Sequence, residues 1–127
     1  MTSPPGAAQG FPRPARLLSG KDFDRVYALR QRVSDGYFSI NYAPAAAGAP
    51  RLGLSVGAKM AGNAVSRNRV KRAIRESFRL HRPALPPLDL VVGARALVRT
   101  AHNARLRESL AQLWIRLAKQ CATSPKD

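Results

Sequence analysis

Between Gly62 and Leu80 the chain reads GNAVSRNRVKRAIRESFRL, a segment whose residues leave little choice of structure. At about 100° per residue, Val70, Ala73, Ile74 and Phe78 fall on one side of a helix, with the i, i+3, i+4 and i+8 spacing of a core-facing stripe. Asn68, Arg72, Arg75 and Arg79 share the opposite side, with Arg67 and Lys71 at one flank and Arg69 at the other. Six cations and one amide thus project from a helix on which Glu76 is the single acid. Like charges at i, i+4 spacing, as in Arg67 and Lys71, cost a few tenths of a kcal/mol per pair. A solvated helix face tolerates such a cost without explaining it, whereas a polyanion facing the helix accounts for it. The fold therefore has to bury one edge of this helix and hold the other out.

The rest of the composition agrees. Lys and Arg number 22 against 7 Asp and Glu, a formal charge of +15 and a pI near 11.6, which makes an anionic partner the default inference. Nucleic acid precedes membrane: no run approaches the roughly 18 apolar residues of a spanning helix. The N-terminus lacks the basic cluster and apolar stretch of an export signal, so a cytoplasmic protein is expected. Of the 22 cations 17 are arginine, suited to bidentate phosphate contacts. A GC-rich genome also favours arginine, but does not place it on one helix face. Cys121 is the single cysteine, which excludes an internal disulfide or a cysteine metal cluster. His81 and His102 stand far apart near helix ends, where capping or surface roles are expected. The acids form no close pair for two-metal or acid–base hydrolysis. The chain is expected to hold no catalytic residue and no metal of its own.

At 127 residues there is room for one domain with tails. Residues 1–15 carry four prolines and two glycines without periodicity and read as a disordered arm. The ordered domain is expected over 16–121, with a flexible tail at 122–127. Ser19 and Asp22 resemble a capping box, and Leu18 and Phe23 a hydrophobic staple. They open a helix running to about Leu29, in which Val26 is core and Phe23 and Tyr27 are either core or ligand-facing. A turn at Asp35-Gly36 separates a short strand from a longer one. In the latter Phe38, Ile40 and Tyr42 alternate with Tyr37, Ser39 and Asn41. After the loop Pro44–Pro50, Arg51–Val56 forms another strand, with Leu52, Leu54 and Val56 opposite Gly53 and Ser55. Both strands carry the pattern of a sheet with one face on a core and one open. Asn63 and Ser66 are both suited to cap the cationic helix, and Arg82-Pro83 and Pro86-Pro87 end it. Asp89–Ala94 reads as a strand placed to pair in parallel with an earlier one. A helix over Asn103–Cys121 follows, with the stripe Leu106, Leu110, Leu113, Trp114 and Leu117. Trp114 is read as a core anchor.

Arg67-Asn68-Arg69-Val70-Lys71-Arg72, followed by Ile74-Arg75-Glu76 and Phe78, resembles the RNR signature of the bacterial ribonuclease P protein component. The strand Arg51–Val56, the segment Lys21–Tyr27 and the Asp89 strand after its proline-bearing loop join the resemblance, which covers about Leu17 to Gln120. It implies an α+β fold: one αβββαβα domain, a mostly antiparallel four-stranded sheet packed on helices, and a left-handed βαβ crossover against the usual hand. It also implies a function, that of a protein subunit assisting a catalytic RNA in removing the 5′ leader of precursor tRNA. Binding of the catalytic RNA subunit carries over onto Arg67, Asn68, Arg69, Lys71, Arg72 and Arg75, and the helix face adds Arg79. Leader binding carries over onto Phe23, Tyr27, Phe38 and Lys59, with Asn41 and Ser55 as additions, in a groove that stacks bases on aromatic faces. The strand alternation sets Phe38 opposite Asn41 and Ser55, so all of these line one face only if a bulge or twist intervenes. Where the family commonly has two adjacent lysines, this chain has Ala58 and Lys59. The resemblance further implies one protein per RNA, no membrane, no cofactor bound by the protein alone, and Mg²⁺ supplied through the RNA subunit.

Other classes share some of these features. A structural RNA-binding protein such as a ribosomal component has similar size and charge and would co-purify with ribosomal subunits. A helix-turn-helix DNA reader would need a second packed helix just before Asn63, where strands are read instead. A protein-only nuclease would need the acidic and histidine ligands that are missing.

Overall fold

The computed structural model describes residues 20–45 and 48–122. Its elements follow in the expected order: α1 (Gly20–Ala28), β1 (Arg32–Ser34), β2 (Phe38–Pro44), β3 (Arg51–Ser55), α2 (Ala64–His81), β4 (Leu88–Ala94) and α3 (Asn103–Ala122). Three short pieces join them that the sequence pattern does not announce: a single helical turn at Ala58–Ala61 and 3₁₀ turns at Arg82–Ala84 and Ala96–Arg99. Ser19 and Leu18, halves of the expected capping box and staple, lie outside the described residues, as do the 1–15 arm and residues 123–127 of the tail.

The sheet runs β1-β2-β4-β3. β1 with β2 and β2 with β4 pair antiparallel, whereas β3 and β4 pair parallel through the connection that contains α2. The sheet is thus mixed, with β4 at its interior. That position explains why Leu88, Leu90, Val91 and Val92 are apolar: the strand is buried on both faces from Leu88 to Val92, with Asp89 the one charged residue among them.

Each helix boundary has a local cause. Gly62, at φ 93°, closes the turn Ala58–Ala61 in a conformation that costs glycine little. Asn63 then caps α2, its Oδ1 accepting from Ser66 N at 2.9 Å. This decides between the two caps the sequence offered. Asp35 shapes the β1–β2 turn by accepting from Tyr37 N at 2.8 Å and Phe38 N at 2.9 Å, and its other oxygen accepts from Ser109 of α3.

On one sheet face Phe38, Ile40, Leu52, Leu90 and Val92 pack with the apolar stripes of α2 and α3 in the main core. Each fully buried side chain of this size contributes about 1.5–3 kcal/mol. Trp114 is the core anchor expected, its Nε1 donating to Ser77 Oγ at 2.7 Å and its ring meeting Phe78 edge-on at 5.9 Å. The opposite face is only partly open. There α1 sets Val26 and Phe23 on Ala43 and Val91 as a second, smaller cluster.

The same edge of α1 is tied down by charge. Asp89, with no exposed surface, accepts from Arg51 Nε at its Oδ1 and from Arg51 Nη2 at its Oδ2, both at 2.8 Å. Arg25 of α1 donates to the same Oδ2 and, at 3.0 Å, to Pro44 O. Asp22 of α1 completes the group 3.4 Å from Arg51. Hydrogen bonding to Asp89 holds the Arg51 guanidinium above its already high ordinary pKa, so it stays charged.

Candidate nucleic-acid interface

The two faces of α2 separate as the periodicity requires. Val70, Ala73, Ile74 and Phe78 are buried, whereas Asn68, Arg72, Arg75 and Arg79 are exposed and Arg67, Arg69 and Lys71 are half-buried at the flanks. Among the described residues, Arg72, Arg75 and Arg79 form no ion pair. Three long cations without acidic partners thus stand along two turns of one helix face, a potential that favours phosphate.

Arg69 has a second task. Its guanidinium donates to Ala101 O at 3.0 Å, Asn103 Oδ1 at 2.9 Å and Val98 O at 2.8 Å. It clips the segment leading into α3 onto α2 and is structural as well as cationic. Arg67 is partly drawn in, its Nε buried without an acceptor among the described residues.

The polar surface beside α2 continues onto α3, in which periodicity marks only an apolar stripe. Asn103 and Arg107 face α2 across a cleft of about 360 Å³ whose other walls include Asn68, Arg69, Arg72 and Glu76. A signal for it exists in the alternation Arg105-Leu106-Arg107, which puts cations on both flanks of the buried Leu106. Arg105 lies over the Tyr37 ring at 5.0 Å and also bonds Glu108 at 2.7 Å. The hydrogen bond to the Tyr37 hydroxyl, with that to Glu108, raises the Arg105 pKa.

The expected groove residues are only partly brought together. Ser39 and Ser55 flank Gly93 in adjacent strands, and Asn41 and Gly53 flank Val91 in the neighbouring row. A Cβ on Gly93 would stand 3.3 Å from Ser39 Oγ and 3.5 Å from Ser55 O, so glycine keeps this strip flat and open. Beside it α1 presents Phe23, half-buried against Val91 and Ala43, and Tyr27, 42 % exposed, with the rings edge-on at 6.4 Å. Lys59 is exposed on the helical turn after β3. Phe38 is not part of this surface. It is fully buried in the main core, because strand alternation without an intervening bulge sends it to the face opposite Asn41 and Ser55. Its assignment to the groove is corrected accordingly.

Among the described residues no group of three or more His, Cys, Asp or Glu stands together in a way that could hold a metal ion. Burial pushes the Cys121 thiol up, away from thiolate reactivity. No helix among the described residues is long and apolar enough to cross a membrane.

A mixed four-stranded sheet, a one-sided cationic helix and an uncovered strip beside α1 define a small basic α+β protein of the RNA-binding class. The Ribonuclease P family profile matches residues 11–118. The ribonuclease P protein component of Thioalkalivibrio sulfidiphilus is 41% identical over 114 residues, covering 90% of this chain and 95% of the relative. That of Methylococcus capsulatus is 39% identical over 120 residues, covering 94% of each. Among solved structures, the RNase P protein of Staphylococcus aureus superposes with a TM-score of 0.75 at 33% identity, covering 83% of this chain and 95% of that one. The RNase P protein from Thermotoga maritima gives 0.71 at 29% identity, covering 80% and 96%. The chain belongs to the ribonuclease P protein family, as a component of the endoribonuclease that matures the 5′ ends of tRNA.

Proposed function

We propose that this protein binds the catalytic RNA subunit of ribonuclease P through the exposed face of α2 and the 5′ leader of precursor tRNA along the strip beside α1. The observation that carries the reading is the row Arg72, Arg75 and Arg79, exposed and without acidic partners among the described residues. Arg67, Asn68, Arg69 and Lys71 flank it. Fork-shaped guanidiniums on a rigid helix match phosphate oxygens in pairs. Phe23, Tyr27, Asn41, Ser55 and Lys59 supply the second surface, where an aromatic face stacks an unpaired base for about 1–3 kcal/mol and a nearby cation attracts the backbone.

The two surfaces give the protein a positioning role. Its positive charge offsets repulsion between two polyanions and lowers the salt or Mg²⁺ needed to join them. Mg²⁺ held by the RNA subunit would activate the water and stabilise the developing charge. One protein per RNA, acting in the cytoplasm, is the arrangement proposed.

Cleavage of a precursor tRNA by protein alone, by RNA alone and by both, over a Mg²⁺ series, tests the division of labour. The pair is expected to make a single cut at the mature 5′ end, the RNA alone to be slow or to need more Mg²⁺ at low salt, and the protein alone to be inactive. Metal-dependent cutting by RNA-free protein that follows the protein peak through purification would overturn it. For the leader surface, Tyr27→Ala is the cleaner probe because Phe23 also packs on Val91. It is expected to reduce the preference for precursor over mature tRNA by about tenfold, within the range of one base–aromatic stack, with assembly on the RNA subunit intact. Equal losses for both tRNA forms would remove Tyr27 from the leader surface.

A further inference from the structure

We propose that the cleft between α2 and the start of α3 receives one unpaired guanine base of the partner RNA, with Glu76 as the residue that reads it; this rests on α2 being the RNA-facing helix. The cleft's volume of about 360 Å³ lies within the range of small-ligand pockets. Val65 and Ala73 contribute apolar surface to it. Arg69 contributes a guanidinium fixed by three acceptors, and unstacked RNA bases commonly rest on such planes.

Glu76 gives the cleft its selectivity. It is the one acid of α2 and lines the cleft with Arg72, one turn before it, and Arg107 across it. It nonetheless forms no ion pair among the described residues. A carboxylate here repels a phosphate, so the RNA backbone belongs at the rim with the arginines and a base belongs inside. Two carboxylate oxygens side by side can accept from two adjacent donors at once. Guanine offers them on its Watson–Crick edge, N1–H beside the N2 amine. Adenine and cytosine place an acceptor beside their amine, and uracil has a single donor between two acceptors. Asn103 completes the match: its Oδ1 is taken by Arg69, which leaves its amide N–H groups for an acceptor such as guanine O6.

If Glu76 only tempers the charge of the helix, E76Q removes a negative charge from an RNA-binding face and tightens binding. Guanine reading predicts the opposite sign, since the glutamine amide offers one acceptor and one donor. The measurement uses the full chain and the same organism's ribonuclease P RNA, transcribed with inosine phosphorothioate at random guanosine positions. Inosine lacks the N2 amine. E76Q is expected to bind unsubstituted RNA about tenfold more weakly, in line with the value of a bidentate base pairing, with its salt slope unchanged and its helix content preserved. At one guanosine position inosine is expected to weaken binding to the wild type but not to E76Q. Equal or tighter binding by E76Q, or an interference pattern that residue 76 does not alter, overturns the guanine pocket. Failure of the α2 reading looks different: Arg72→Ala and Arg75→Ala would then leave affinity and salt slope unchanged.

Discussion

Asp89→Ala is expected to lose about 3–5 kcal/mol of folding stability, the usual result of removing one partner from a buried ion pair. A domain of this size has about 5–15 kcal/mol in all. The carboxylate has no exposed surface and accepts from both Arg25 and Arg51. Its removal takes the closest acceptor from both guanidiniums and leaves them only Asp22, 3.4 Å from Arg51 and 3.6 Å from Arg25, for charge compensation. Arg51, at 18% side-chain exposure, carries most of the effect; Arg25, at 39%, is more easily resolvated and carries less. Asp89→Asn keeps the shape and one acceptor and is expected to be milder. Because this cluster pins α1 to the sheet, the variants also test whether the leader strip depends on α1 staying in place. Urea unfolding followed by circular dichroism measures the loss. A difference below about 1 kcal/mol for Asp89→Ala would mean that the cluster behaves like ordinary surface ion pairs.

Changing Arg72 and Arg75 together to Ala is expected to weaken binding to the RNA subunit by about tenfold or more per arginine, from the roughly 1.5–3 kcal/mol of a charge-assisted hydrogen bond. The decline of log K with log salt becomes shallower by somewhat less than one unit for each phosphate that is no longer neutralised. The fold is expected to persist, since both side chains are exposed and face away from Val70, Ile74 and Phe78. Filter binding across a salt series decides it. Unchanged affinity and slope in the double variant would show that the cations of α2 face solvent and nothing else.

The leader surface illustrates how far a single chain of letters reaches. Strand alternation alone already sets Phe38 against Asn41 and Ser55, and the paired register shows that no bulge reconciles them. The resemblance to the family placed Phe38 in the groove by position; burial took it out. In α3 the apolar stripe is legible from Leu106 to Leu117, but the partnership of Asn103 and Arg107 with α2 is not, because nothing local states which helix lies alongside.

The sequence by itself determined the main strands and helices and their faces, since periods of 3.6 and 2 residues and prolines after Arg82 act within a few residues of chain, while the choice of Asn63 over Ser66 as the cap of α2 came from the structure. It also determined that α2 is cationic on one side, which is a property of spacing. Only the tertiary structure decided that Asp89 is a buried anchor for α1, that Arg69 clips the entry to α3, and that Glu76 shares a cleft with Arg107. Arg25 and Asp89 are 64 positions apart, and Arg69 and Asn103 are 34. Contacts over such separations arise from the packing of α1 on β2 and β4 and of α2 on α3, where the whole core, and no local preference, fixes which side chains meet.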